Sequence, residues 1–143
     1  MTTWFITGAS RGFGLEIARQ ALERGDNVVA TARTPRAVEE ALAAHADRLL
    51  AVPLDVNDEE QARAAVQAAV ERFGTIDVLV NNAGRGLLGA VEETSDAEAR
   101  AVFDTNVFGL LTVTRAVLPV MRARRSGRIV NLSSVGGFVG WAG

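Results

Sequence analysis

The chain has 143 residues, a formal net charge of −2, 15 basic residues that are all arginine, and no Cys, Tyr or Lys. Without Cys there is no disulfide, thiolate zinc site or iron–sulfur cluster, and without Lys there is no Schiff-base chemistry and no P-loop. A single His, His45, excludes a multi-histidine metal site, and the balanced charge gives no electrostatic footprint for nucleic acid or an acidic membrane.

Residues 4–7 (Trp-Phe-Ile-Thr) form a short β-rich run that ends at Gly8. Over residues 12–24, apolar Phe13, Ile17, Ala18, Ala21 and Leu22 recur at helical spacing, and Gly25 follows as a stop. Residues 28–32 are a second strand. Pro35 opens a helix to about Ala46, since Pro suits a first turn. Residues 49–52 are a third strand. Asp58 or a neighbour caps a helix that reaches Phe73 and ends at Gly74. Residues 78–80 are a fourth strand. Ser95, three residues before Glu98, makes a capping box and opens a long helix to about Arg125. Residues 129–132 are a fifth strand.

Strands that are nearly all apolar, separated by helices, predict a parallel sheet covered on both faces, in a doubly wound α/β fold. Ligands in such folds sit beyond the carboxyl ends of the strands. Four strand ends here carry distinctive residues: segment 8–14, Arg33, Asp55 and segment 81–84. Turns alone favour Gly, Asn and Asp, but four such ends on one sheet edge point to a ligand site.

The segment Thr7-Gly8-Ala9-Ser10-Arg11-Gly12-Phe13-Gly14 has the spacing Gly-x-x-x-Gly-x-Gly. Small residues let the backbone turn tightly and approach a pyrophosphate seated on the helix N-terminus. With Asp55-Val56, Asn81-Asn82-Ala83-Gly84, Asn106 and Ile129-Val130-Asn131-Leu132-Ser133-Ser134, the loop resembles the classical short-chain dehydrogenase/reductase (SDR) family, in order and over the whole chain. The family's extended branch carries Gly-x-x-Gly-x-x-Gly, which would need glycine where Arg11 stands. The resemblance implies a Rossmann-type sheet of order 3-2-1-4-5. Residues 1–143 would form a single dinucleotide-binding domain, incomplete at its C-terminus and truncated after the fifth strand.

The resemblance also assigns contacts to the dinucleotide. Gly8, Ser10, Arg11, Gly12, Phe13 and Gly14 would hold the pyrophosphate region, Asp55 and Val56 the adenine, and Asn82, Ala83 and Gly84 the adenine-ribose side. The Asn81-Asn82 pair would also brace the sheet. An NAD-selective site places a carboxylate after the second strand, about 20 residues beyond the loop. Thr31-Ala32-Arg33-Thr34 contains none. Arg33 can instead grip a 2′-phosphate through its planar fork, with Arg11 as a second cation. The expected cofactor is therefore NADP(H) in preference to NAD.

In the family, hydride passes between the nicotinamide and a carbonyl or alcohol carbon. A Tyr is the general acid/base, a Lys four residues later lowers its pKa, a Ser binds the substrate oxygen, and an Asn supports a proton-relaying water. Ser134 matches that catalytic Ser and Asn106 that Asn, while Ser133 reads as structural. The Tyr-x-x-x-Lys pair is absent, and only nine residues follow Ser134, fewer than the family's gap. The expectation is the N-terminal part of an NADP(H)-dependent reductase or alcohol dehydrogenase, inactive as residues 1–143. The alternative is a truncated, non-catalytic dinucleotide-binding module.

The expected substrate is a small-molecule carbonyl or alcohol, with Arg85, Gly86, Leu87, Leu88, Phe138 and Trp141 as candidates for its cleft. By resemblance the full-length form is a homodimer or homotetramer that uses the long helix. No signal-peptide pattern opens the chain, and no apolar run approaches the roughly 18 residues of a membrane span. A cytoplasmic location without membrane or nucleic-acid partners is expected. His45 reads as a solvated surface residue.

Overall fold

The computed structural model describes residues 1–137 and 139. Phe138 and Trp141, two of the cleft candidates, lie outside the described residues. Five strands form one parallel sheet: β1 (Thr3–Ile6), β2 (Asn27–Ala32), β3 (Leu49–Pro53), β4 (Val78–Asn81) and β5 (Arg128–Asn131). Their order is β3-β2-β1-β4-β5, as expected of a doubly wound Rossmann-type sheet. The helices between them are α1 (Gly12–Glu23), α2 (Arg36–Ala41), α3 (Glu59–Phe73), α4 (Asp96–Phe103) and α5 (Leu110–Arg124).

The continuous apolar runs follow from burial on both sides. Successive strand residues point to opposite faces. Phe5, Val29 and Leu79 pack with Ala62, Val66 and Ala69 of α3 and Val113, Val117 and Met121 of α5. Ile6, Val28, Ala30, Val78 and Val80 pack on the other face with Ala18, Ala21 and Leu22 of α1 and Val38 of α2. The chain changes face through α3, which carries it from β3 at one edge to β4 beside β1. The loops after β1 and β4 therefore diverge, opening the crevice in which such sheets bind ligands.

Two expected helices differ from their patterns. The one expected from Pro35 to about Ala46 stops at Ala41. Leu42 turns out of helical geometry (φ −120°, ψ 20°), and a 3₁₀ turn, Ala43–His45, follows. Leu42 is fully packed in the core beside Val38. The tighter turn brings the Arg48 carbonyl to the Val28 N–H at 2.9 Å, which starts the β2–β3 ladder. The long helix is continuous from Asp96 to Arg124 but widens into a π turn over Asp104–Gly109. The widening lies where Gly109 presses on the β3–α3 loop. A Cβ on Gly109 would sit 2.6 Å from Val56 Cγ2. This run of 29 residues is long and apolar enough, by length and composition alone, to cross a membrane. Its buried side, Val113, Val117 and Met121, packs on the sheet.

At the opposite edge β5 is exposed along its length, with Ile129 39% and Val130 45% accessible. An apolar edge strand of this kind invites pairing or cover.

Candidate functional site

The site is built at the carboxyl ends of β1 and β4. Thr7 follows β1 and is buried (1% accessible). Its hydroxyl oxygen accepts the N–H of Asn82 at 3.0 Å and of Ala83 at 2.9 Å. The Asn82 amide donates back, to Thr7 O at 2.8 Å and Gly8 O at 3.0 Å. The Ala9 N–H donates to Thr31 O at 2.9 Å, which ties the loop to β2 as well. The glycine loop is thus fixed on both sides before any ligand arrives.

Glycine is required at three loop positions for two reasons. Gly8 (φ +65°) and Gly12 (φ +59°) occupy the left-handed region that a Cβ disfavours. Gly14 is crowded: a Cβ there would lie 2.4 Å from Asn82 Nδ2 and 2.5 Å from Gly8 O. Around Gly12 nothing lies within 4 Å of such an atom, so the loop's outer side is open. The N-terminus of α1 begins there with no side-chain cap and no carboxylate in its first turn. By contrast, α3 is capped by Asp58 and α4 by Ser95. Uncapped N–H groups at a 12-residue helix make a fitting seat for phosphate, and the glycine cradle leaves room for one.

The sequence-derived candidates fall around this loop. Ser10 is half-buried, Arg11 is exposed, and Phe13 is 77% accessible on the first turn of α1. Arg33 is exposed just beyond the end of β2. Neither Arg11 nor Arg33 makes an ion pair among the described residues. Asp55 stands beyond β3, its carboxylate accepting the Asn57 N–H at 3.0 Å. Val56 is buried (8%) against the position of Gly109. Asn82 and Ala83 direct polar groups inward to Thr7, so in this structure they position the loop. Gly84 is exposed and approaches Asn106, whose Oδ1 lies 3.4 Å from where a Cβ would be.

Asn106 lies within the π turn, and wide turns of this kind recur at functional sites. Its side chain grips one residue of the β4–α4 loop at both backbone groups. Oδ1 accepts the Arg85 N–H at 2.9 Å, and Nδ2 donates to Arg85 O at 2.8 Å. Ser134 follows β5, exposed, at the head of a 3₁₀ turn, Val135–Gly137. Its Oγ accepts the Gly136 N–H at 3.3 Å, which leaves the hydroxyl proton free to donate elsewhere.

Two contributors escaped sequence reasoning. Thr7 heads the glycine-loop segment but was given no role of its own, yet its hydroxyl is the acceptor that joins the two central loops. Gln61 accepts the Asp55 N–H at 2.8 Å and donates to Asp58 Oδ2 at 2.9 Å, which fixes the Asp55 turn. Its place three residues after the N-cap Asp58 is the capping-box spacing, a signal present in the sequence.

Comparison with known proteins agrees with this architecture. The short chain dehydrogenase family model matches residues 2–143. The oxidoreductase BOA17 of Botryotinia fuckeliana is 44% identical over 141 residues, covering 98% of this chain and 52% of that protein. A short-chain dehydrogenase from Streptomyces avermitilis superposes with a TM-score of 0.93 at 48% identity, over 100% of this chain and 54% of that one. A variant of actinorhodin polyketide ketoreductase, solved with NADPH, superposes at 0.91 and 38% identity, over 99% of this chain and 56% of that one. The chain thus spans about half the length of the curated relatives it matches. From its second residue to its last it matches one family model, and it belongs to the short-chain dehydrogenase family of oxidoreductases.

Proposed function

We propose that the protein is an NADP(H)-dependent oxidoreductase that reduces a small carbonyl compound or oxidises the corresponding alcohol. Residues 1–143 supply its dinucleotide-binding domain together with Ser134 and Asn106. The observation that carries this reading is the pre-fixed glycine loop, open on its outer side, over the uncapped start of α1. NADPH in the similar ketoreductase structure supports it. When bound, the nicotinamide gives or takes the hydride.

The chain's own groups bind and orient. The loop and the first N–H groups of α1 receive the pyrophosphate. Arg11 and Arg33, exposed and free of ion pairs among the described residues, receive the 2′-phosphate. Asp55 and Val56 border the adenine, and Gly84 with the Asn82-Ala83 backbone borders the ribose. The Ser134 hydroxyl donates to the substrate oxygen, where negative charge grows during reduction. Asn106 holds the β4–α4 loop and supports the water that relays the proton. Residues 1–143 contain no Tyr and no Lys, so this portion alone binds cofactor without efficient turnover. Loss of a general acid/base costs roughly 10²–10⁴ in rate. The outward side of the long helix, with Phe103 60% and Phe108 58% accessible, supports a homodimer or homotetramer of the full-length form.

Titrating the protein with NADPH and NADH by fluorescence tests the reading, with Arg33→Asp beside the wild type. Tighter binding of NADPH, with the preference reversed or abolished by Arg33→Asp, is the expected result. An unchanged preference in the variant overturns the 2′-phosphate assignment. Failure to bind either dinucleotide overturns the whole reading.

A further inference from the structure

Three segments of the candidate site leave the sheet from one buried amide. Asn81 ends β4 and is 4% accessible. Its Nδ2 donates to Asn131 Oδ1 at 2.9 Å and to Thr114 Oγ1 at 3.1 Å. Asn131 is its register partner at the end of β5, and Thr114 is on α5. Asn81 O also accepts the Leu132 N–H at 3.0 Å, which extends the ladder one residue past β5. Beyond these anchors the chain enters the Asn82 loop, the Ser133-Ser134 turn and, eight residues back along the helix, the π turn with Asn106.

The orientation of the amide follows from its partners. Both N–H groups of Nδ2 have acceptors, whereas Oδ1 is buried without a partner among the described residues. A reversed amide would put two donors where Oδ1 sits, with nothing there to accept them. Bracing β4 against β5 requires Asn131 alone. The added bond to Thr114 couples the sheet to the helix, through a residue whose side chain makes no hydrogen bond to the glycine loop or the Ser134 turn among the described residues.

We propose that Thr114 and Asn131 are positioning residues, acting through the Asn81 carboxamide to fix the strand end that carries Ser134 relative to the helix that carries Asn106. This rests on the reading of Ser134 and Asn106 given above. A reacting group held by three residues of chain beyond a clamp shifts when the clamp loosens, and misplacement by about 1 Å costs on the order of 10²-fold in rate.

Thr114→Val keeps the side-chain volume and removes the acceptor, and Thr114→Ser keeps the acceptor. In the full-length protein, Thr114→Val is expected to lower kcat at least tenfold while the NADPH dissociation constant stays within twofold. Thr114→Ser is expected to restore kcat. In residues 1–143, hydrogen exchange at the Leu132 N–H is expected to accelerate in Thr114→Val, while the Thr7 N–H, bonded to Val80 O at 3.0 Å, keeps its rate. Wild-type kcat in Thr114→Val overturns the proposal. So does a parallel loss of kcat and cofactor affinity, the mark of general loosening. If the wild-type enzyme transfers no hydride, the reading of the site has failed, and unchanged exchange at Leu132 then overturns the clamp independently.

Discussion

Thr7 and Asn82 hold each other reciprocally. The Thr7 hydroxyl accepts the Asn82 backbone N–H, and the Asn82 side-chain amide donates to the Thr7 carbonyl. This pair joins the loop after β1 to the loop after β4, the two that flank the crevice. Thr7→Val fills the same space but withdraws the acceptor from the N–H groups of both Asn82 and Ala83. The Asn82 N–H keeps the Val80 carbonyl at 3.1 Å, so the Ala83 N–H is the donor left unpaired, at a cost of about 1–3 kcal/mol. Urea denaturation is expected to show a loss of about 1–3 kcal/mol for Thr7→Val and under about 1 kcal/mol for Thr7→Ser, which keeps the oxygen. Equal losses in the two variants would contradict the role assigned to the hydroxyl.

Two glycines of the loop are needed for different reasons, and alanine separates them. Gly14→Ala drives a methyl to 2.4 Å from Asn82 Nδ2 and 2.5 Å from Gly8 O, so the Asn82 bridge must move. Overpacking of this sort costs typically 1–3 kcal/mol, and nucleotide affinity is expected to fall with it. Gly12→Ala meets no atom and carries only the left-handed backbone penalty, about 1–2 kcal/mol. Thermal melts and nucleotide titrations of both variants check this. The expected signature is a larger affinity loss for Gly14→Ala at similar stability loss.

Strand and helix placement were legible because their signals are local, whereas the sheet order came with the family resemblance. Strands buried on both faces read as apolar runs, and the stops Gly25 (φ +86°) and Gly74 (φ +77°) mark helix ends with residues that tolerate that geometry. The glycine loop was legible for the same reason. What the sequence concealed depends on contacts between distant residues. The π turn exists where Gly109 meets Val56, 53 residues earlier in the chain. The Asn106 grip on Arg85 and the Asn81–Thr114 bond span 21 and 33 residues. No spacing rule announces such pairs. The roles of the Thr7 and Thr114 hydroxyls were concealed because a threonine's place in a motif or on a helix does not say which partner its hydroxyl finds.

Glu98 gives a pH-dependent cap. Its carboxylate accepts the Ser95 hydroxyl at 2.6 Å and the Ser95 N–H at 3.0 Å, and these bonds hold its pKa below the ordinary glutamate value. A folded-state pKa below the unfolded one means stabilisation that is complete above the ordinary value and disappears as pH falls through the lowered one. Side-chain carboxyl NMR shifts are expected to titrate below the usual glutamate range in the wild type. In Ser95→Ala they are expected to move up, because the larger of the two bonds is gone. Identical titration in both proteins would exclude the hydroxyl as the cause.

Arg125 ends α5 in the left-handed region, at φ 52° and ψ 31°, the one non-glycine residue with positive φ among the described residues. Its N–H bonds to Arg122 O at 3.0 Å, and the next N–H, of Ser126, bonds to Met121 O at 3.1 Å. The turn is thus a helix stop of the kind glycine normally provides. Relief of the Cβ strain is worth about 1–2 kcal/mol, and the extra freedom of glycine in the unfolded chain takes back about 0.5–1 kcal/mol. Arg125→Gly is expected to raise stability by up to about 1 kcal/mol in urea melts. Arg125→Ala retains the Cβ and is the control for lost charge, expected to leave the midpoint near that of the wild type. A gain of the same size in Arg125→Ala would assign the effect to the crowding of Arg122, Arg124 and Arg125 at the helix end, and not to the backbone.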